Sequence, residues 1–182
     1  MTAFDSVAAT RRFDGIYAAT VLSNTDPEQR GRLLLSIPDV LAFMPSTWAQ
    51  PCLPLSGPTG PAMGTYFVPL PGTGVWVQFE HGDVNRPVWI GCRIGSAADV
   101  PPMALAAPPA LPPLLLQSIT QDKLIISNVP GEGITLETSR GPAGPSIKMT
   151  ALGGIIISDG EGGIITMSKG VVTINGGALV IK

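Results

Sequence analysis

The sequence predicts an all-β chain in two parts, a small barrel over residues 15–95 and a glycine-punctuated tail of short strands over residues 123–182. Three observations carry that reading. Short β-branched or alternating segments recur along the chain and are cut by Gly, Pro and Asn. No stretch has convincing amphipathic-helix periodicity. Charged residues are only 13% of the 182, about half the usual share, while Gly (22) and Pro (19) are both enriched.

The tail reads as six segments: Ile134–Glu137, Ile147–Thr150, Ile155–Ser158, Ile164–Met167, Val171–Ile174 and Leu179–Ile181. Glycines at Gly153-Gly154, Gly162-Gly163, Gly170 and Gly176-Gly177 separate them, with the punctuation of a β-solenoid. Strands this short cannot hide their own apolar faces, and Ile155-Ile156-Ile157 is apolar on both sides of the pleat. One side must therefore meet other copies of the chain, which makes the tail the stalk of an obligate oligomer. Ile155, Ile157, Ile164, Val172 and Ile174 are the candidates for its interior, subject to a one-residue register slip that would exchange the faces. Gly141-Pro-Ala-Gly144-Pro imitates two collagen triplets, too few for a triple helix, and is expected as a loop bulging from the side. Glu132, Glu137, Asp159, Glu161, Lys148 and Lys169 are expected on the outer faces as solubilising charge.

Upstream, residues 1–14 form a short arm with a solvated or partner-facing Arg11-Arg12 pair. The barrel's strands are Ile16–Leu22, Arg32–Ile37 stopped by Pro38, a short Thr47–Gln50, Val75–Glu80 and the closing Arg86–Gly91. A Gly/Pro-rich loop, Ser56–Gly64, and the Tyr66-Phe-Val approach to the Pro71–Gly74 turn lie between the third and fourth. Five strands of this length fit a small closed barrel of the OB type. Asp26-Pro27 starts a tight turn, and Gly31, Gly72 and Gly74 mark positive φ or close backbone approach. Gly82-Asp83 suits a hairpin tip, Pro87 opens an edge strand and Gly91 ends the last motif. Residues 96–122 follow as a Pro/Ala-rich linker. Its apolar, uncharged stretch Val100–Gln121 is too rich in proline to span a membrane as a helix and is semi-rigid and polyproline-like instead.

Three of these motifs, Asp26-Pro-Glu-Gln-Arg-Gly31-Arg-Leu33, Pro69 through Asp83, and Arg86-Pro-Val-Trp-Ile-Gly91, resemble in order and spacing the OB-fold signature of the central spike family of contractile tails. That family includes phage baseplate assembly protein V, the VgrG proteins of type VI secretion and the spikes of extracellular contractile injection systems. The resemblance covers residues 14–95. It implies a homotrimer whose barrels form a collar on the baseplate hub or tail tube, followed by a triple-stranded β-helix, or β-prism, that helps to pierce the target envelope. Some relatives tip that helix with a His-x-His iron site. This tail contains no histidine, so the resemblance implies a blunt end capped by a separate PAAR-type tip protein through Leu179, Val180 and Ile181.

Conventional chemistry finds little support. His81 is the one histidine and reads as an exposed turn residue, so no metal site is expected. Gly72-Thr-Gly74 lacks the third glycine and the following helix of a dinucleotide fingerprint, and no phosphate loop occurs. Ser36, Ser46 and Ser56 have no histidine placed in sequence to activate them. Neither catalysis nor a cofactor is expected, and some relatives' lysozyme or effector domains have no room here. Cys52 and Cys92 can pair or stand as free thiols, and buried free thiols fit best without an oxidising signal. The first residues lack the pattern of a secretory leader, so assembly is expected in the cytoplasm, into a virion or an extracellular or secreted contractile particle.

Two readings of another class remain. The barrel could be a receptor- or glycan-binding tail module, for which only Trp48, Trp76 and Trp89 are available as aromatic surface. A nucleic-acid binder would need a basic groove, and the chain carries a net charge of −2.

Overall fold

The structure, a computed structural model, describes residues 11–57 and 62–181. The chain divides into two compact units, residues 1–95 and 96–182.

The first unit is built on β1 (Tyr17–Ser23), β2 (Leu34–Ser36), β3 (Gln50–Pro51), β4 (Ser56–Gly57), β5 (Met63–Gly64), β6 (Gly74–Phe79) and β7 (Pro87–Cys92). Five of them form one sheet in the order β2-β1-β6-β7-β3. A pair of backbone hydrogen bonds between Leu33 and Ala49, 3.0 and 2.8 Å, joins the run into β3 back to β2 and closes the ring. Closure also sorts the side chains. Ala19 and Val21 on β1, Leu33, Leu35 and Ile37 along β2, Val75, Val77 and Phe79 on β6, and Trp89 on β7 all point inward and are buried. Trp89 fills the middle and donates its Nε1–H to the Gly31 carbonyl at 3.1 Å. A short helix, α1 (Pro38–Leu41), starts where Pro38 stops the β2 segment.

Several details differ from expectation. β7 is interior, not an edge, pairing antiparallel with β6 and parallel with β3; Pro87 fits because it is the strand's first residue. The two ends of the expected Ser56–Gly64 loop, β4 and β5, pair as a small antiparallel ribbon. Residues 1–10 of the expected arm lie outside the described residues, and Phe13 belongs to the barrel core. Its ring stands 6.0 Å from Tyr17 and 5.7 Å from Phe79. Cys52 and Cys92 are free and exposed, not buried. Strand ends at a barrel rim are half-open, which a local hydrophobicity pattern does not reveal; partial burial still pushes the Cys92 thiol up.

The second unit opens on a 3-10 turn, Ala97–Asp99, and a five-residue helix, α2 (Pro102–Ala106), and continues as β8 (Leu114–Gln117), β9 (Lys123–Ile126), β10 (Ile134–Glu137), β11 (Ser146–Thr150), β12 (Gly154–Ser158), β13 (Ile164–Ser168), β14 (Val171–Ile174) and β15 (Leu179–Ile181). These eight strands form one sheet in strict sequence order, each antiparallel to the next. The sheet therefore starts inside the stretch expected as linker, at Leu114. Within one chain the strands are a meander in which β9 through β14 have both edges paired.

Turn chemistry explains the meander. Lys169 (φ 52°) and Gly170 (φ 77°) form a two-residue turn closed by the Ser168–Val171 pair, the geometry that matches strand twist. At Gly154 (φ 72°) a Cβ would lie 2.1 Å from the Met167 carbonyl oxygen, so only glycine fits. The Gly141–Ala143 turn lies between β10 and β11, where a loop was expected.

Candidate functional site

Side chains alternate across a strand, and antiparallel register fixes which residues share a face. The registers of β8 to β15 align two columns on one face. One runs Leu114, Ile126, Ile134, Met149, Ile155, Met167 and Val172. The other runs Leu116, Leu124, Leu136, Ile147, Ile157, Ile165, Ile174 and Leu179. Every member is apolar. The column between them on the opposite face reads Leu115, Ile125, Thr135, Lys148, Ile156, Thr166 and Thr173, a mixture of apolar and polar side chains.

Among the described residues of this unit, nothing buries the apolar face. Leu114 is 58% exposed, Leu116 62% and Leu179 51%, and Leu136, Ile147, Met149, Ile157, Ile165 and Met167 are all exposed as well. Among the described residues no apolar side chain of this unit is buried; the whole buried apolar set lies in the barrel. A continuous apolar face of this extent marks an interaction surface. Fully burying each such side chain contributes about 1.5–3 kcal/mol.

Of the five residues expected inside an oligomer, Ile155, Ile157, Val172 and Ile174 fall on this face. Ile164 falls on the other, paired with Ser158, because β13 presents Ile165 and Met167 to the apolar columns. Of the tail-end trio, Leu179 extends the second column opposite Ile174. Val180 pairs with Thr173, and Ile181 with Val172, at the backbone level. Residues the sequence reading missed include Met149, Ile165 and Met167 and the leucines of β8 and β9. Their i, i+2 spacing was the available signal, but methionine is not β-branched and the prolines before Leu114 mask β8.

The opposite face carries one buried ion pair. Lys123 Nζ lies 3.0 Å from Glu137 Oε1, with side chains 9% and 5% exposed, directly across the β9–β10 ladder. Glu137 thus departs from its expected place among solubilising surface charges, because the cross-strand lysine compensates its burial. Glu132, Asp159, Glu161 and Lys169 are exposed, and Lys148 is half-buried. Asp159 turns its carboxylate onto its own loop, accepting from the N–H groups of Glu161 at 2.7 Å and Gly163 at 2.9 Å. Those donors lower its pKa below the ordinary carboxylate range.

In the barrel, the motif residues are brought together as scaffold. Asp26 is the hub of the β1–β2 loop. Its Oδ1 accepts from Arg32 Nη2 at 2.6 Å, Arg32 Nε at 3.0 Å and the Glu28 N–H at 3.0 Å; its Oδ2 accepts from the Arg30 N–H at 2.8 Å. The Arg32 guanidinium, assisted by the main-chain donors and opposed by desolvation, holds the Asp26 carboxyl far below its usual range. Pro27 pre-sets the turn that follows, and Gly31 has φ 74° where its backbone meets Tyr66. Gly72 also has positive φ, whereas Gly74 is needed for space against Arg93. At the β6–β7 tip the left-handed residues are His81 (φ 55°) and Gly82 (φ 74°), one position ahead of the expected Gly82-Asp83 pair. Asp83 Oδ1 instead accepts from the Asn85 N–H at 3.0 Å, and Gly91 pairs with Trp76 beside a bulge. The Ser46 hydroxyl is buried and engaged with the Leu35 N–H and the Thr47 carbonyl.

Two family models match the chain. One, described as the type VI secretion system/phage-baseplate injector OB domain, covers residues 17–93. The other, the phage baseplate V C-terminal trimerisation domain, covers residues 113–180. The second match spans the sheet from the residue before Leu114 almost to its end. No curated protein matches the chain.

Proposed function

Because this chain belongs to the baseplate V family of trimerising structural spikes in phage and type VI injectors, we propose that it is the central spike of a contractile baseplate, its three sheets closed into a prism with the apolar columns inside. Ile155, Ile157, Val172 and Ile174 line the interior with Met149, Ile165 and Met167, and Ile164 lies outside. The observation that carries this reading is the uncovered apolar face, which three copies meeting around an axis bury at one stroke.

Mechanically, the eight strands stack at ~4.8 Å, giving a shaft of roughly 34 Å. During puncture the load runs along that stack, and each strand bears on the next through its backbone ladder. No unpaired edge lies between β8 and β15 where peeling could start. The barrels and the N-terminal arm dock on the hub of the tail tube, and the end formed by Leu179, Val180 and Ile181 receives a separate PAAR-type tip. The chain acts by force transmission, without catalysis or cofactor. Immunogold labelling of a tagged barrel in sheathed particles tests the assignment. Label confined to the baseplate end supports it, and label along the sheath or only on unassembled protein contradicts it.

A further inference from the structure

A cleft of about 460 Å3 opens on the barrel wall, lined by Arg30, Trp48, Gln50, Glu80, Asn85 and Arg86. Its volume lies within the ~300–1,000 Å3 of small-ligand sites. These six side chains are half-buried or exposed, and the fully buried Pro87 completes the lining. Trp48 is half-buried, with the Arg32 guanidinium 5.8 Å from its ring centroid. The polar groups are planar and already engaged in pairs. Arg30 bonds Glu28 at 3.1 Å and Gln50 Oε1 at 3.2 Å, and Arg86 is ion-paired with Glu80. Asn85 is pinned through its backbone, its carbonyl accepting from Thr47 Oγ1 at 2.9 Å and its N–H donating to Asp83 Oδ1 at 3.0 Å.

That arrangement discriminates among ligand classes. A nucleic acid or an acidic peptide needs free cationic charge, whereas both arginines here are matched by carboxylates. A hydroxyl group both donates and accepts, and guanidinium–carboxylate and amide groups side by side offer acceptors and donors at hydrogen-bond spacing. An indole at the same cleft supplies an apolar, polarisable wall for a ring's C–H face. We infer that this cleft is a saccharide-binding site for an uncharged oligosaccharide, with Trp48 as the stacking wall and Gln50, Asn85, Glu80 and Arg86 as the hydroxyl-reading groups.

Titration of the full chain with chitotetraose and maltohexaose, by calorimetry and tryptophan fluorescence, tests it. The expected result is saturable binding of at least one of them at one site per chain, abolished in Trp48→Ala and weakened about tenfold or more in Asn85→Ala and Arg86→Ala. The last two alter exposed side chains, and circular dichroism with solution mass on the same samples separates loss of binding from loss of fold or of the trimer. The inference is overturned if neither sugar saturates at millimolar concentration, if folded Asn85→Ala and Arg86→Ala bind as the parent does, or if an acidic peptide binds in their place.

Discussion

The barrel and the sheet are both built of short β-strands with similar apolar content, yet the barrel closes on itself and the sheet does not. Eleven apolar residues are buried in the barrel, all between Phe13 and Trp89, and none in the described part of the sheet. Curvature makes the difference. The Leu33–Ala49 bridge turns five strands into a ring with an inside, whereas eight strands in sequence order have two outsides. A meander with two wholly apolar columns on one face has its core only in the assembly, so folding and oligomerisation of that half are one event.

The sharpest way to break this comparison is to charge the sheet on one face at a time. Ile157→Asp, in an apolar column, is expected to abolish the trimer in sedimentation while near-ultraviolet dichroism of the barrel tryptophans is retained. Ile156→Asp, one residue away on the other face, is expected to leave most of the trimer; equal losses would show that the two faces are not distinct. Glu137→Ala strands Lys123 in a buried position and is expected to cost about 3 kcal/mol or more, read as a lower melting temperature for the sheet with the barrel's transition unmoved.

The barrel answers to a different lever. The folded-state pKa of Asp26 is depressed below its unfolded value near ~3.9, so its stabilisation is complete above about pH 4 and is lost as pH falls through the folded value. Barrel stability followed against pH should therefore decline on the acid side in the parent, and the gap between parent and Asp26→Asn should narrow there. A gap that is constant from neutral pH into that acid range would remove Asp26 from the account. The smallest effect is expected at Ile164→Ser, within about 0.5 kcal/mol for an outward surface position, against a clear loss of trimer melting temperature for Ile165→Ser.

Much of this was legible in the sequence. All six tail segments match strands to within a residue at each end, because β-branched runs bounded by glycine leave little choice. Four of the five interior candidates share the apolar face for the same reason. Ile164 misled because Ile164-Ile165 offers two isoleucines in succession, and only the Ile155–Met167 and Ile157–Ile165 pairs decide which one faces the columns. β8 was hidden by the prolines that precede it, since its pairing with β9 is a tertiary fact. Glu137 was misplaced because burial of a carboxylate depends on a lysine across the ladder. The cleft on the barrel was invisible, since Arg30, Trp48 and Arg86 meet only after closure.

Sedimentation equilibrium of the purified chain tests the central claim most directly. The prediction is a single species at three times 18.8 kDa that persists in mild detergent and on dilution. A monomer whose amides over residues 114–181 are nonetheless protected from hydrogen exchange would contradict it, because that sheet would then be folded without the partners its apolar face requires.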